Sequence, residues 1–408
     1  MEERIDLKKQ GKLKSNITRF RQDKRLAVTG ALHSLALLGM LACVVFGIFR
    51  YQEDLRPENL QRMASYLKAA GSLSDPFTEY RFEAGLDTLY APFSSGLAVS
   101  SGDTYSFISG LGDSSFSLQL RYNHPALCTS DNFVLTYDRG GTGIAVTNSY
   151  AEYLRTEVRS PILNASMNRA GAFALITDED GYRSGVSVYD EKQQLLCQWL
   201  TTEYYVLFAS VDPESDWFAV AGLGQGQGEL SLSTKVLYFR IGETQPSWEI
   251  DLGQRQIYAM THDKSGGLVI LCDDGADRWF DGERTHHYAF RLPVRLFSVR
   301  ESGETLVAFE STDRSSRTTD ILVLGDKLEQ LWSGSFYGVP RALDCAGGTA
   351  GLLMNDRLEV IHYDSEVVRT HRVEHSGARD LVISDDGEPI LVYSDRAVKV
   401  TEENEAHK

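Results

Sequence analysis

The sequence predicts an all-β fold: a β-propeller of about eight four-stranded blades, preceded by one transmembrane helix and a short stalk helix. Three observations lead there. A short apolar run preceded by a tight turn recurs eight times, an uncharged apolar stretch separates a basic leader from an acidic remainder, and no helical periodicity recurs after Phe77. Seven blades is the competing count, because the repeat around Leu97 is the least regular.

The first element is a basic leader over residues 1–25. Arg4, Lys8, Lys9, Lys12, Lys14, Arg19, Arg21, Lys24 and Arg25 face Glu2, Glu3, Asp6 and Asp23, a local balance of +5 within a chain of net charge −16, so the remainder carries −21. Leu26 to Phe49 holds 24 residues without a formal charge. As a helix it covers about 36 Å, enough to cross a bilayer. A transmembrane helix is therefore expected over 26–50, with the leader cytoplasmic and the rest extracytoplasmic. Met40-Leu41-Ala42-Cys43 resembles a lipoprotein processing box, yet Val44 to Phe49 stays apolar where a processed lipoprotein turns polar. Gly39, Cys43 and Gly47 recur every four residues. They read first as lipid-facing filler and second as a seam for weak self-association.

Residues 51–76 form the stalk and linker. Pro57 suits a helix start, Leu60, Met63, Tyr66 and Leu67 follow at helical spacing, and Gly71, Ser72, Ser74, Asp75 and Pro76 end it.

The propeller is expected over 77–402, with a disordered acidic tail at 403–408. Its repeating runs are marked by Leu97, Phe133, Phe173, Phe218, Leu268, Leu306, Leu352 and Ile390, spaced 36 to 50 residues apart, as blades require. Ser166, Ser210, Thr261 and Ser298 each precede by five residues the turn positions Gly171, Ser215, Gly266 and Gly303, and are expected to cap those turns. Trp199, Trp248 and Trp332 fall on the outermost strands, where an indole can fill the gap between blades. The last repeat supplies only three strands, at Asp380 to Ser384, Pro389 to Tyr393 and Ala397 to Thr401. Glu79 to Glu83 is expected to complete that sheet, joining the two ends and removing an exposed edge.

Chemistry is mostly excluded. A strongly acidic balance argues against nucleic acid, whose phosphates need a basic face. The glycine-dense loop Gly222 to Gly228 lies between strand-like runs, so it reads as a hairpin tip and not a phosphate cradle. Asp178-Glu179-Asp180-Gly181 and Asp273-Asp274-Gly275-Ala276-Asp277 lack the twelve-residue calcium pattern. His286 and His287 adjoin on a strand and point to opposite faces. Cys128, Cys197, Cys272 and Cys345 lie in different repeats without C-x-x-C spacing and read as small buried hydrophobes. Asn164-Ala165-Ser166 is a formal glycosylation sequon placed on an inner strand. No catalytic, cofactor-binding or metal-binding residue emerges, and no cofactor is called for.

The layout of basic leader, single span, stalk and repeat-built β ectodomain resembles an uncharacterised bacterial family of membrane-anchored propellers assigned only a domain of unknown function. The repeats also distantly resemble quinoprotein-like eight-bladed propellers, among them the outer-membrane assembly lipoprotein that serves as a scaffold. These resemblances imply a cell-envelope protein and bring no catalytic residue or cofactor. The expected role is binding or scaffolding of an envelope protein, peptide or glycan, with the bilayer held through 26–50. The alternative is a hydrolase or lyase acting on a polymer in the propeller channel. Clustered carboxylates and histidines at one channel mouth favour the enzyme; an open apolar or aromatic face favours the partner.

Overall fold

The computed structural model describes residues 35–46, 79–82, 88–94, 96–109, 114–226, 231–310, 318–373 and 377–400. Two units are distinguished, Met1–Gln61 and Arg62–Lys408. In the first, residues 35–46 are helical and their side chains are exposed, with Leu38, Leu41, Val45 and Phe46 among the bare apolar groups. That helix is about 18 Å long at 1.5 Å per residue. Among the described residues no helix is long and apolar enough to cross a membrane. The leader, the rest of the expected span, the stalk helix, Gly47 and the acidic tail lie outside the described residues.

The second unit is an eight-bladed propeller. All eight sheets have four antiparallel strands, and seven of them are consecutive in sequence. The blade containing Leu97 is complete, with strands Leu89–Phe93, Gly96–Ser100, Thr104–Ile108 and Ser114–Gln119, so the count is eight and not seven. We number this blade one and the strands of each blade first to fourth from the channel outward. The eighth sheet takes Asp380–Ile383, Pro389–Val392 and Arg396–Lys399 from the end of the chain and Glu79–Arg81 from the start of the ring. Glu79 pairs with Val398, Tyr80 with Ala397 and Arg81 with Arg396, which is the expected closure. Leu89–Phe93 also contacts Asp380–Ile383, so the ring is closed along the channel as well.

Burial explains why the repeats were so visible. Every marker falls on the second strand of its blade or at its edge, and most of those strands are buried end to end. Such a strand has a neighbouring blade on each face, so both sets of alternating side chains are apolar. Phe218 and Val220 of blade four enter the cluster shared with blade three, whereas Ala219 and Ala221 enter the one shared with blade five. There are eight apolar clusters, one between each successive pair of sheets. Trp199, Trp248 and Trp332 join three of them from the fourth strands. Trp248 stacks on Tyr238 at 4.7 Å.

In blades three to six the first strand steps register once near its start, at Ile162/Asn164, Val206/Phe208, Ile257/Ala259 and Val294/Leu296. Each step leaves one residue unpaired and bends the strand. The opposite end of those strands carries the turns that form the candidate site.

Candidate functional site

Each first strand ends in a tight turn, and these turns converge on one mouth of the channel. The residue just beyond the strand fixes the turn. Asn168 Oδ1 accepts from the backbone amides of Gly171 and Ala172, Asp212 Oδ1 from Asp216 and Trp217, and Asp263 Oδ1 from Ser265 and Gly267. Ser130 and Ser384 do the same with their hydroxyls in blades two and eight. These are Asx and Ser/Thr turns, available only to short polar side chains.

The expectation for Ser166, Ser210, Thr261 and Ser298 is thereby corrected: Ser166 Oγ has no hydrogen-bond partner and Thr261 Oγ1 donates to its neighbour His262 O. Ser210 accepts from the backbone amide of His262 at 3.1 Å and lies 2.9 Å from its Nδ1. Ser298 donates to Asp344 at 2.7 Å. Both hydroxyls reach the next blade; in blade four the turn is capped two residues later by Asp212, whereas in blade six the residue two later, Arg300, bonds Asp344 instead. In blades two, three, four, five and eight the Asn, Asp or Ser three or four residues before the turn's end was readable in the sequence and is the signal that finds the capping residue.

The turns enclose a cavity of about 640 Å³ lined from seven blades, with Pro92, Ser130, Asp131, Arg169, Lys264, Glu301, Gly347 and Asp385 among its walls. Pro213 of blade four joins Glu301 in a small side pocket, so Glu301 faces side chains contributed by the whole ring. Glu304, Asp326 and Glu329 add further carboxylates, against Arg169, Lys264 and Arg300 as the cations. Several are already committed. Arg169 is ion-paired with Asp131, Glu304 accepts from Tyr363 Oη, and Arg300 is bound to Asp344, Cys345 O and Ile383 O. Arg300 therefore ties blades six, seven and eight together. Its neighbour Glu301 is held by that anchored backbone.

Glu301 is the unusual group. Burial, then the nearby negative charge of Asp131, pushes its carboxyl up to about 8, with Asp385 adding to the rise and Arg169 opposing it. A carboxyl in this state exchanges a proton near neutrality. Among the described residues no histidine stands with it in an active form. His262, in the side pocket, is buried with Nδ1 against Ser210 and Nε2 3.0 Å from Tyr238 Oη, and burial lowers it to about 3. With the Ser210 oxygen already accepting from an amide, its hydroxyl donates to Nδ1, which assigns the ring proton to Nε2.

The other sequence candidates are dispersed. His287 Nδ1 meets Asp277 at 2.7 Å, while His286 lies on the opposite face. Asp274 and Asp277 hold Arg255, and Glu179 accepts from Ser160 and Thr177. Asn164 bridges Tyr137 of blade two and Leu207 O of blade four. The glycine-dense segment joins the two longest strands, Trp217–Gln225 and Leu232–Arg240, as a hairpin whose residues 227–230 lie outside the described part. All five cysteines are unpaired. Among the described residues no three His, Cys, Asp or Glu side chains are grouped so as to hold a metal ion.

Residues 75–252 match a family of unknown function, DUF5711. That stretch runs from the closing strand through the first four blades. No curated protein sequence matches the chain. Among solved structures, BamB from Moraxella catarrhalis is similar at 13% identity and TM-score 0.52, covering 80% of this chain and 98% of that one. The C-terminal WD40 domain of Sif2 gives 13% identity, TM-score 0.52, and coverage of 80% and 99%. The Dos1 propeller gives 10%, 0.51, and 80% and 94%. At such identities the likeness establishes the propeller fold alone.

Proposed function

We propose that this chain is a single-pass, membrane-anchored binding or scaffold module of the cell envelope, whose channel mouth receives a positively charged segment of a protein or peptide. The observation that carries the reading is the mouth itself. Two turns of blade six present Glu301, Asp326 and Glu329 and a turn of blade eight presents Asp385 on a rigid frame, while Arg169 and Arg300 are neutralised by Asp131 and Asp344, leaving Lys264 as the remaining cation against four carboxylates. A cationic side chain entering there meets uncompensated carboxylates and stabilises the ionised form of Glu301.

The anchor is supported by the +5 and −21 halves of the charge and by the exposed apolar helix 35–46 within the uncharged run. The propeller then lies outside the membrane, and Gly39, Cys43 and Gly47 offer a weak contact to a second copy. Photo-crosslinking from Asp385 in native membranes tests the binding role: a partner crosslinked through a Lys- or Arg-rich segment supports it, and labelling confined to lipid or to nothing refutes it. Thiol labelling of an engineered C-terminal cysteine in intact cells tests the topology, which fails if that cysteine is shielded until lysis.

One observation favours a second reading. A carboxyl held near 8 beside two further carboxylates is the equipment of a general acid, as a polymer-cleaving hydrolase or lyase needs. Release of reducing ends from envelope polymer by the full-length protein, abolished in Glu301→Gln, decides for it.

A further inference from the structure

A second site lies on the outer wall, between the fourth strand of blade four and the outer half of blade five. Asp251, Leu252, Arg255, Trp279, Glu283 and Arg284 line an open groove of about 730 Å³. Two of its side chains carry donors that the protein leaves unused. Trp279 Nε1 and Arg255 Nη2 are buried and have no hydrogen-bond partner. The remaining nitrogens of Arg255 are taken, Nε by Asp274 at 2.6 Å and Nη1 by Asp277. A buried donor without an acceptor is rare in a native fold, and two along one groove point to an acceptor supplied from outside.

The chemistry of the walls selects the ligand. Two guanidiniums and two carboxylates line the groove, and Arg255 and Arg284 are both compensated by Asp274 or Asp277, so a phosphate finds no uncompensated cation there and the mixed walls suit a ligand that both donates and accepts. Asp251 is kept ionised, its carboxyl lowered by the amide of Gly253 and the hydroxyl of Ser233, and presents acceptor capacity without seeking a metal. Hydroxyl groups both donate and accept, so a polyhydroxylated chain can satisfy Arg and Asp walls together. The partly exposed Trp279 ring adds an apolar surface on which the C–H face of a sugar ring can lie. The volume is in the range that encloses a small ligand.

We propose that this groove is a binding site for a neutral oligosaccharide, with Trp279 as its platform, Arg255 and Arg284 as donors, and Asp251 and Glu283 as acceptors. The site stands independently of the channel mouth. Entry requires the Arg255 guanidinium, one-fifth exposed, to swing toward the ligand, which uncovers its Nη2 and the buried Trp279 Nε1.

The test is calorimetric titration of the full-length protein in mild detergent with cellotetraose, maltotetraose, xylotetraose and chitotetraose, and in parallel with inorganic phosphate and tetralysine. At least one tetrasaccharide is expected to bind saturably, and Trp279→Phe, which keeps an aromatic ring but removes the N–H, is expected to weaken it about tenfold or more. Glu283→Gln and Arg284→Ala alter exposed side chains and leave the fold in place, so their loss of affinity reports on the groove even if Trp279→Phe proves unstable by thermal melting. The proposal is overturned if no tetrasaccharide binds into the millimolar range, if phosphate, or tetralysine in a manner lost in Glu283→Gln, saturates the groove instead, or if saccharide binding is unchanged in Glu283→Gln and Arg284→Ala.

Discussion

Tyr80 stands opposite Ala397 in the eighth sheet, and its ring is buried between blades eight and one among Leu97, Val99, Ile390 and Val392. A residue from the start of the propeller thus fills the seam at which its end arrives. Tyr80→Ala leaves a cavity in the closure and is expected to destabilise the fold by about 3–5 kcal/mol. A lowered urea midpoint, accompanied by earlier proteolysis at the chain ends, is the measurement.

Asp344 is a junction of three blades. It accepts from Ser298 and Arg300 of blade six and from the amide of Ile383 in blade eight at 2.8 Å. Asp344→Ala strands the partly buried Arg300 and is expected to cost about 3 kcal/mol or more. Asp344→Asn retains an acceptor oxygen and should lose less, so urea denaturation is expected to rank wild type above Asn above Ala.

Glu301 and His262 give the stability curve two opposed slopes. Glu301 is raised in the folded protein, so its contribution is complete below its unfolded value near 4.5 and is lost as pH climbs to about 8. His262 is lowered, so its contribution is present above its unfolded value near 6.5 and is lost as pH falls toward about 3. Each slope is at most about 1.4 kcal/mol per pH unit. In thermal melts, Glu301→Gln is expected to flatten the decline from pH 6 to 8, leaving the acid limb intact. An unchanged alkaline limb in that variant would place the titrating group elsewhere.

Cys272 and Cys345 are buried in inter-blade clusters, and burial pushes the Cys272 thiol up to about 12 and that of Cys345 up as well. Both are poor nucleophiles in the folded state. N-ethylmaleimide is expected to leave them unmodified in the native protein and to label them fully in guanidinium, as read by mass spectrometry. Rapid native labelling of Cys345 would show that the seam between blades six and seven opens.

How much of this was readable follows from where the side chains sit. Phe173, Phe218 and Leu268 announced their strands because a second strand packed on both faces admits few polar residues. The closing strand was readable from the missing fourth strand at the end of the chain. The channel mouth was not. Asp131, Glu301 and Asp385 come from turns of blades two, six and eight, and turns carry acidic residues for many reasons, so no spacing links them. Ser210 and Ser298 were expected to cap turns because their five-residue offset from a turn position, Ser215 or Gly303, was regular. Contact with the following blade depends on the twist between sheets, which a one-dimensional repeat does not encode. The groove at Trp279 combines two blades and escaped for the same reason.

The eight apolar clusters lie like mortar between staves, with none at the hub. Such a molecule has no middle to melt first: every joint bears the tension of the whole hoop, and releasing one turns the ring into an open strip with two bare faces. The order of the blades along the chain is then a matter of where the hoop happens to be fastened. A permuted chain that begins between blades four and five and links Lys399 to Glu79 through a spacer would keep every joint and merely move the clasp.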